Sequence, residues 1–377
     1  MTDDPVRRSH GWRWLGLFWV LVILVFGGGA VRLAALGPPQ HSPVVQTAVA
    51  DEPPAPVEAA PAIAWSALQT RLAPGLQRYV DPNLIEGSAA GVLPKIGPDG
   101  LMPLRAYSRD FNRNETRPRV ALIVGGIGLS NALSEQAIET LPQTVALAFS
   151  PYAARPDPLI ERARGRGFET LLAIPMEPAG FPMNDPGNRA LLTGLSWTEN
   201  AVRLDWLLAR YPGHVGAVGG IGAMRGERFA ALAEPFSRLQ IALADRGLLY
   251  FDPRPGAGDP QRAWGRTADV VVDDPATRSE IDSRLAQLER VARARGAALG
   301  YLGEVTPVAL ERVAAWAAGI EMRSVVLAPV TAVMRRPQGA EGNRPQGAEG
   351  SRPQGAEGHR PQEDAARPTN RAETASR

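Results

Sequence analysis

The 377-residue chain has no cysteine, which excludes disulfides, thiolate metal sites and cysteine nucleophiles. Histidine is almost as scarce, with four in all. His10 precedes the long apolar run near the N-terminus, His41 sits in a proline-rich stretch and His359 in a polar repeat. Only His214 is left in the part that patterns as a folded domain, so a hydrolytic metal centre built on two imidazoles cannot be assembled. His214 stands at the start of an apolar run and reads as structural. Lysine is nearly missing too: Lys95 is the only one, and the other forty of the 41 basic residues are arginine. A bias so uniform reads as codon composition rather than as selected contacts. The formal charge of +2 gives no field for nucleic acid, and none is expected as a partner.

Long apolar runs are absent but for one. Trp14 to Val31 is eighteen residues without a charge, the lower limit for a bilayer-spanning helix. Arg7, Arg8 and Arg13 precede it, which keeps residues 1–13 in the cytoplasm and places the rest outside. The reading is a single-pass anchor in the cytoplasmic membrane, with a cleaved signal peptide as the competitor. Residues 32–64 are rich in Pro and Ala without apolar periodicity and read as a linker. At the other end RPQGAEG recurs from Arg336, Arg344 and Arg352, with a further RPQ at Arg360. A polar repeat of this kind buries no core, so 336–377 is expected to be disordered.

Between these segments, short apolar runs alternate with helical signals. The expected strands are 120–124, 145–149, 170–174, 215–218, 248–251, 269–272, 298–302 and 324–327, each of the kind a parallel strand buried on both faces requires. Asp157-Pro158 and Thr306-Pro307 read as N-caps followed by proline, and Thr277 with Glu280 as a capping box. Thr198 precedes an amphipathic stretch through Leu207. The rhythm predicts a (β/α) barrel of seven or eight parallel strands over 118–335, with 65–117 wrapping it; an open doubly wound sheet shares the alternation.

In such folds chemistry gathers at the carboxyl ends of the strands. The first and fourth end in the same pentapeptide, VGGIG, at Gly125-Gly126 and Gly219-Gly220. The third ends in IPMEP with Glu177, followed by Asn184-Asp185-Pro186-Gly187; the fifth ends in Asp252 and Arg254, the sixth in Asp273 and Asp274, the seventh in Glu304. Asp252 and Glu177 are the candidate catalytic acids. Asp185, Arg254, Asp274, Glu304 and the four glycines are candidate substrate contacts. Any one Asp at a strand end can equally be a helix cap or an Asx-turn. Glu177, Asp252 and Asp274 could hold Mg or Ca through oxygen alone, or a carboxylate pair could act as acid and base. A dinucleotide cradle at Gly126-Ile127-Gly128 lacks its third glycine, Asn131 standing there.

The order VALIVGGIGLS, LAFSPYA, IPMEP with NDPG, GAVGGIGA, YFD, DVVVDD and LGYLGEVTPVALERVAAW resembles the divergent polysaccharide deacetylase family over about residues 91–330. The resemblance implies a distorted barrel related to the NodB-like carbohydrate esterases, in an envelope protein that acts on glycans. It also implies an Asp-His-His metal site, from which this sequence departs. Gly125 and Gly126 stand where family members often carry two aspartates, and Gly219 to Gly222 where they often carry Asn-His-Met-Gly. The expectation is therefore a domain with no metal and no cofactor that binds an envelope glycan or an envelope protein. The alternative is an active deacetylase or hydrolase using Asp252 and Glu177.

Overall fold

The computed structural model describes residues 77–337, together with Phe18, Trp19 and Val22. The expected anchor at 14–31, the linker at 32–64 and nearly all of the repeat tail lie outside the described residues. No helix among the described residues is long and apolar enough to cross a membrane. The chain divides into two units, 1–60 and 61–377, and the fold belongs to the second.

Nine strands form one curled parallel sheet. In chain order they are β3 (Arg119–Ile127), β4 (Ala146–Phe149), β5 (Thr170–Ala173), β6 (Gly216–Val218), β7 (Leu249–Asp252), β8 (Gly265–Thr267), β9 (Val270–Val271), β10 (Ala297–Leu302) and β11 (Val326–Leu327). A separate antiparallel hairpin, β1 (Ile85–Ser88) with β2 (Gly91–Pro94), precedes them. The spatial order is β8-β7-β6-β5-β4-β3-β10-β9, with β11 beside the start of β3. All eight expected strands are present, their ends differing by up to three residues. The sequence reading missed β8, a three-residue strand whose Gly265-Arg266-Thr267 has no apolar run.

β8 and β9 are separated by only Ala268 and Asp269. Ala268 donates to the Asp252 carbonyl of β7 at 2.8 Å, and Asp269 to the Leu299 carbonyl of β10, also at 2.8 Å. One run of chain therefore serves both ends of the sheet, which is how so few strands curl round a common interior. Side chains alternate across it. Ala121, Ile123, Ala146, Ala148, Leu171, Ala173, Leu249, Phe251, Leu299 and Tyr301 form the inner cluster. Leu122, Val124, Leu147, Phe149, Leu172 and Tyr250 belong to the cluster beneath the helices. Four of those ten inner residues are alanine, as a tight curl requires.

The helices are α1 (Pro103–Ala106), α2 (Asn131–Thr140), α3 (Asp157–Gly165), α4 (Trp197–Leu208), α5 (Glu227–Ala230), α6 (Ala233–Asp245), α7 (Arg278–Arg295) and α8 (Pro307–Ala318). Thr306 caps α8, its Oγ1 accepting from Ala309 N–H at 3.1 Å. Thr277 caps α7, but Glu280 turns away to pair with Arg284, so the expected capping box is only half formed. Pro156, not Asp157, is the N-cap of α3. The complete box belongs to Ser196 and Glu199 on α4, where Thr198 already lies inside the helix. The Ser-x-x-Glu spacing was there to be read.

Candidate functional site

The carboxyl ends of β3, β6 and β10 meet as bare backbone. A Cβ on Gly125 would stand 2.7 Å from the Gly303 carbonyl oxygen, closer than a real Cβ approaches. On Gly303 it would collide with the Gly222 carbonyl. Gly222 lies in a tight turn closed by two bonds: Ile221 N–H to Met224 O at 2.9 Å, and Met224 N–H to Ile221 O at 3.1 Å. The two VGGIG elements thus touch through β10, Gly125 against Gly303 and Gly303 against Gly222. Gly126 abuts Val305 and Glu304, and Gly220 abuts Met224 and Pro253. Gly219 has no room for a side chain because the Tyr250 hydroxyl fills that position. All four glycines singled out in the sequence are buried.

The two candidate acids are buried and fully partnered. Glu177 follows β5 in a segment fixed by reciprocal bonds with Leu191: Glu177 N–H to Leu191 O at 2.8 Å and Leu191 N–H to Pro175 O at 3.0 Å. Its Oε2 accepts from Thr193 N–H at 2.6 Å and Thr193 Oγ1 at 2.7 Å, and its Oε1 pairs with Arg228 Nε at 2.9 Å. Its carbonyl accepts from Arg228 and Phe229 N–H at the start of α5. Asp252, at the end of β7, is held by Arg254. Oδ1 accepts from Arg254 N–H at 3.0 Å and Nε at 2.9 Å, and Oδ2 from Nη2 at 2.6 Å. The guanidinium lies over the Phe236 ring, 5.4 Å from its centroid. Neither carboxylate is left without a partner.

The remaining candidates form the rim. Asp274 is exposed and pairs with Arg225 Nη1 at 3.1 Å, while Arg225 Nε stands 3.6 Å from Glu227. Asp185 is exposed and makes an Asx-turn, accepting from Gly187 N–H at 2.8 Å. Glu304 is exposed, and its N–H donates to Asp273 Oδ2 at 2.9 Å; Gly303 N–H donates to Oδ1 at 3.0 Å. Arg225, Arg228 and Thr193, which organise the acids, were not foreseen, because nothing local marks an arginine as the partner of a carboxylate fifty residues away. His214 sits at the amino end of the barrel, 1% exposed, away from the mouth.

An Asp-His-His metal centre does not fit these residues. Among the described residues no three His, Asp or Glu side chains come together in a way that could hold a metal ion. The mouth offers backbone where such ligands would project.

A model of the divergent polysaccharide deacetylase family matches residues 122–334. The chain belongs to this family. Among solved structures it is similar to an uncharacterized protein, ATU2773, from Agrobacterium tumefaciens C58, with 31% identity and a TM-score of 0.59 over 64% of this chain and 98% of that one. It is more distantly similar to the catalytic domain of peptidoglycan N-acetylglucosamine deacetylase from Eubacterium rectale ATCC 33656, with 12% identity and a TM-score of 0.38 over 59% of this chain and 92% of that one. A CE4 esterase from Streptococcus mutans is 14% identical with a TM-score of 0.34, over 58% of this chain and 87% of that one. No curated protein matches the chain.

Proposed function

We propose that this member of the family binds an envelope glycan at the mouth of the barrel without a metal and without hydrolysing it. The observation that carries the reading is the contact of Gly125 with Gly303 and of Gly303 with Gly222. Backbone occupies the centre of the mouth, and the two buried acids are neutralised by Arg228 and Arg254. Recognition then falls to the rim, where Asp185, Asp274, Glu304 and Arg225 can exchange charge-assisted hydrogen bonds with sugar hydroxyls. An envelope protein as ligand would use the same rim. The basic flank and uncharged run at 14–31 support a membrane anchor with the domain outside the cytoplasm.

Binding of the purified protein to a panel of envelope glycans tests the reading. Asp274→Asn and Glu304→Gln should each weaken binding about tenfold, by roughly 1.5 kcal/mol, and leave melting unchanged. Acetate release from an acetylated glycan, abolished by Asp252→Asn, would replace it with an active deacetylase. A reporter fused after residue 335 should be active only outside the cytoplasm and should fractionate with membranes.

A further inference from the structure

At the amino end of the barrel, opposite the mouth, lies a cavity of about 440 Å³ bounded by the starts of β5 and β6 and by the segment before β3. Tyr79, Tyr107, Arg109, Asp110, Arg164 and Gly213 are among the residues that line it. Arg164 comes from the last turn of α3. Its Nη2 donates to the Pro212 carbonyl at 2.6 Å, and the Tyr107 ring lies 5.9 Å from its guanidinium carbon. The residue as a whole keeps some solvent exposure, yet Nε and Nη1 are buried and have no acceptor. No carboxylate among the described residues stands within 4.0 Å of this guanidinium to form an ion pair.

A cation withdrawn from water is expensive unless a counter-charge and hydrogen bonds accompany it. Two other guanidiniums drawn into this domain have both: Arg254 has Asp252, and Arg266 has Asp269. Arg164 has no counter-charge and only the one hydrogen bond to Pro212, and burial pushes its pKa down to about 10. The seat is shaped for it, since a Cβ on Gly213 (φ +83°) would stand 2.5 Å from Nη1. A second cation lies beside it. Arg109 Nη1 donates to the Gly167 carbonyl at 3.0 Å, and the rest of that guanidinium is unpartnered. The Tyr107 hydroxyl accepts from Asp81 N–H at 3.1 Å, which leaves its own proton to donate. Asp110 is exposed and pairs with neither arginine. His214 Nε2, also unpartnered, is a neutral acceptor and adds no counter-charge.

We infer that this cavity is an oxyanion site, in which Arg164, Arg109 and the Tyr107 hydroxyl hold the phosphate or carboxylate group of a small ligand. Nothing in the mouth of the barrel is needed for it.

Calorimetric titration of the full chain with inorganic phosphate, and in parallel with acetate, tests the site. Saturable binding of either anion is expected, and the tighter of the two tells a tetrahedral from a planar group. Arg164→Met should weaken binding at least about tenfold. Because Arg164 also holds the Pro212 carbonyl, Arg109→Gln is the second variant, with its guanidinium at the cavity edge and a smaller loss of about threefold expected. Weakening in either variant that keeps the wild-type circular dichroism supports the site. No saturable binding of either anion, or binding undiminished in both variants (an adventitious ion only), overturns it.

Discussion

Between pH 7 and pH 5 this protein should lose stability through one buried histidine. His214 is buried, and its Nδ1 stands 3.0 Å from the Gly216 carbonyl. A carbonyl only accepts, so Nδ1 carries the proton and the ring is neutral. Burial, reinforced by the nearby Arg164 guanidinium, pushes its pKa from 6.5 down to about 3. The unfolded chain takes up a proton near pH 6.5 that the folded one refuses until about pH 3, so stability is lost as pH falls through that window. Linkage gives a loss of about 2 kcal/mol between pH 7 and pH 5, a fall of roughly 4–8 °C in melting temperature for a domain of this size. The buried carboxyl of Glu169 is shifted the other way, raised by burial, and gains stability on protonation. Its effect is common to wild type and variant, so the difference between them isolates the histidine. His214→Asn keeps an amide N–H for the Gly216 carbonyl and has nothing to titrate. Urea unfolding of both proteins at pH 7, 6 and 5 should show the wild type losing about 2 kcal/mol more than the variant. Parallel curves would refute a buried neutral imidazole.

Three further outcomes follow from the packing. Gly303→Ala drives a methyl into the Gly222 carbonyl and should lower stability by about 1–3 kcal/mol in urea unfolding, whereas exposed, open Gly258→Ala should do little. Glu177→Gln and Asp252→Asn each leave an arginine and a set of donors without their carboxylate. Both should lower the melting temperature by several degrees, the second by more, because Arg254 is 19% exposed and Arg228 57%. Thr306→Ala removes the cap of α8 and should cost about 1 kcal/mol in the same assay.

Most strands were legible because they are short apolar runs buried on both faces; Val120–Val124 and Ala298–Leu302 need no partner to be recognised. β8 was not, since Arg266 is buried only by virtue of Asp269 and the Ala297 carbonyl, which a local window cannot supply. The strand ends were legible as places but not as environments. Asp252-Pro253-Arg254 reads as an acid beside a base, and the structure makes of it a bidentate pair closed on itself. Glu177 reads as a lone acid, whereas its partners Thr193 and Arg228 come from a later loop and from α5. Asp273 and Asp274 are neighbours with opposite fates: Asp273 braces the backbone of Gly303 and Glu304, while Asp274 faces solvent opposite Arg225.

The glycines at the mouth are more than missing side chains. If only the side chains had been removed, Gly125→Asp with Gly220→His would restore donors to the family's positions. The surroundings forbid it. An aspartate at 125 would bring a carboxylate against the carbonyl oxygens of Gly303 and Leu302, whose positions lie 2.7 and 3.2 Å from its Cβ. Acceptor would face acceptor, with no proton between them. A histidine at 220 would start 2.9 Å from the Met224 carbonyl and 3.2 Å from Arg225 Cα, inside the turn that Ile221 and Met224 close on themselves. The turn must open before the histidine can project, and opening it disturbs the Arg225 pairs with Glu227 of α5 and with Asp274 after β9. The double variant should therefore melt well below the wild type and carry no more zinc per chain than the wild type does. Elemental analysis finding close to one zinc per chain in a variant that keeps wild-type melting would show the mouth to be an open metal cleft, and the backbone contacts across it to be incidental.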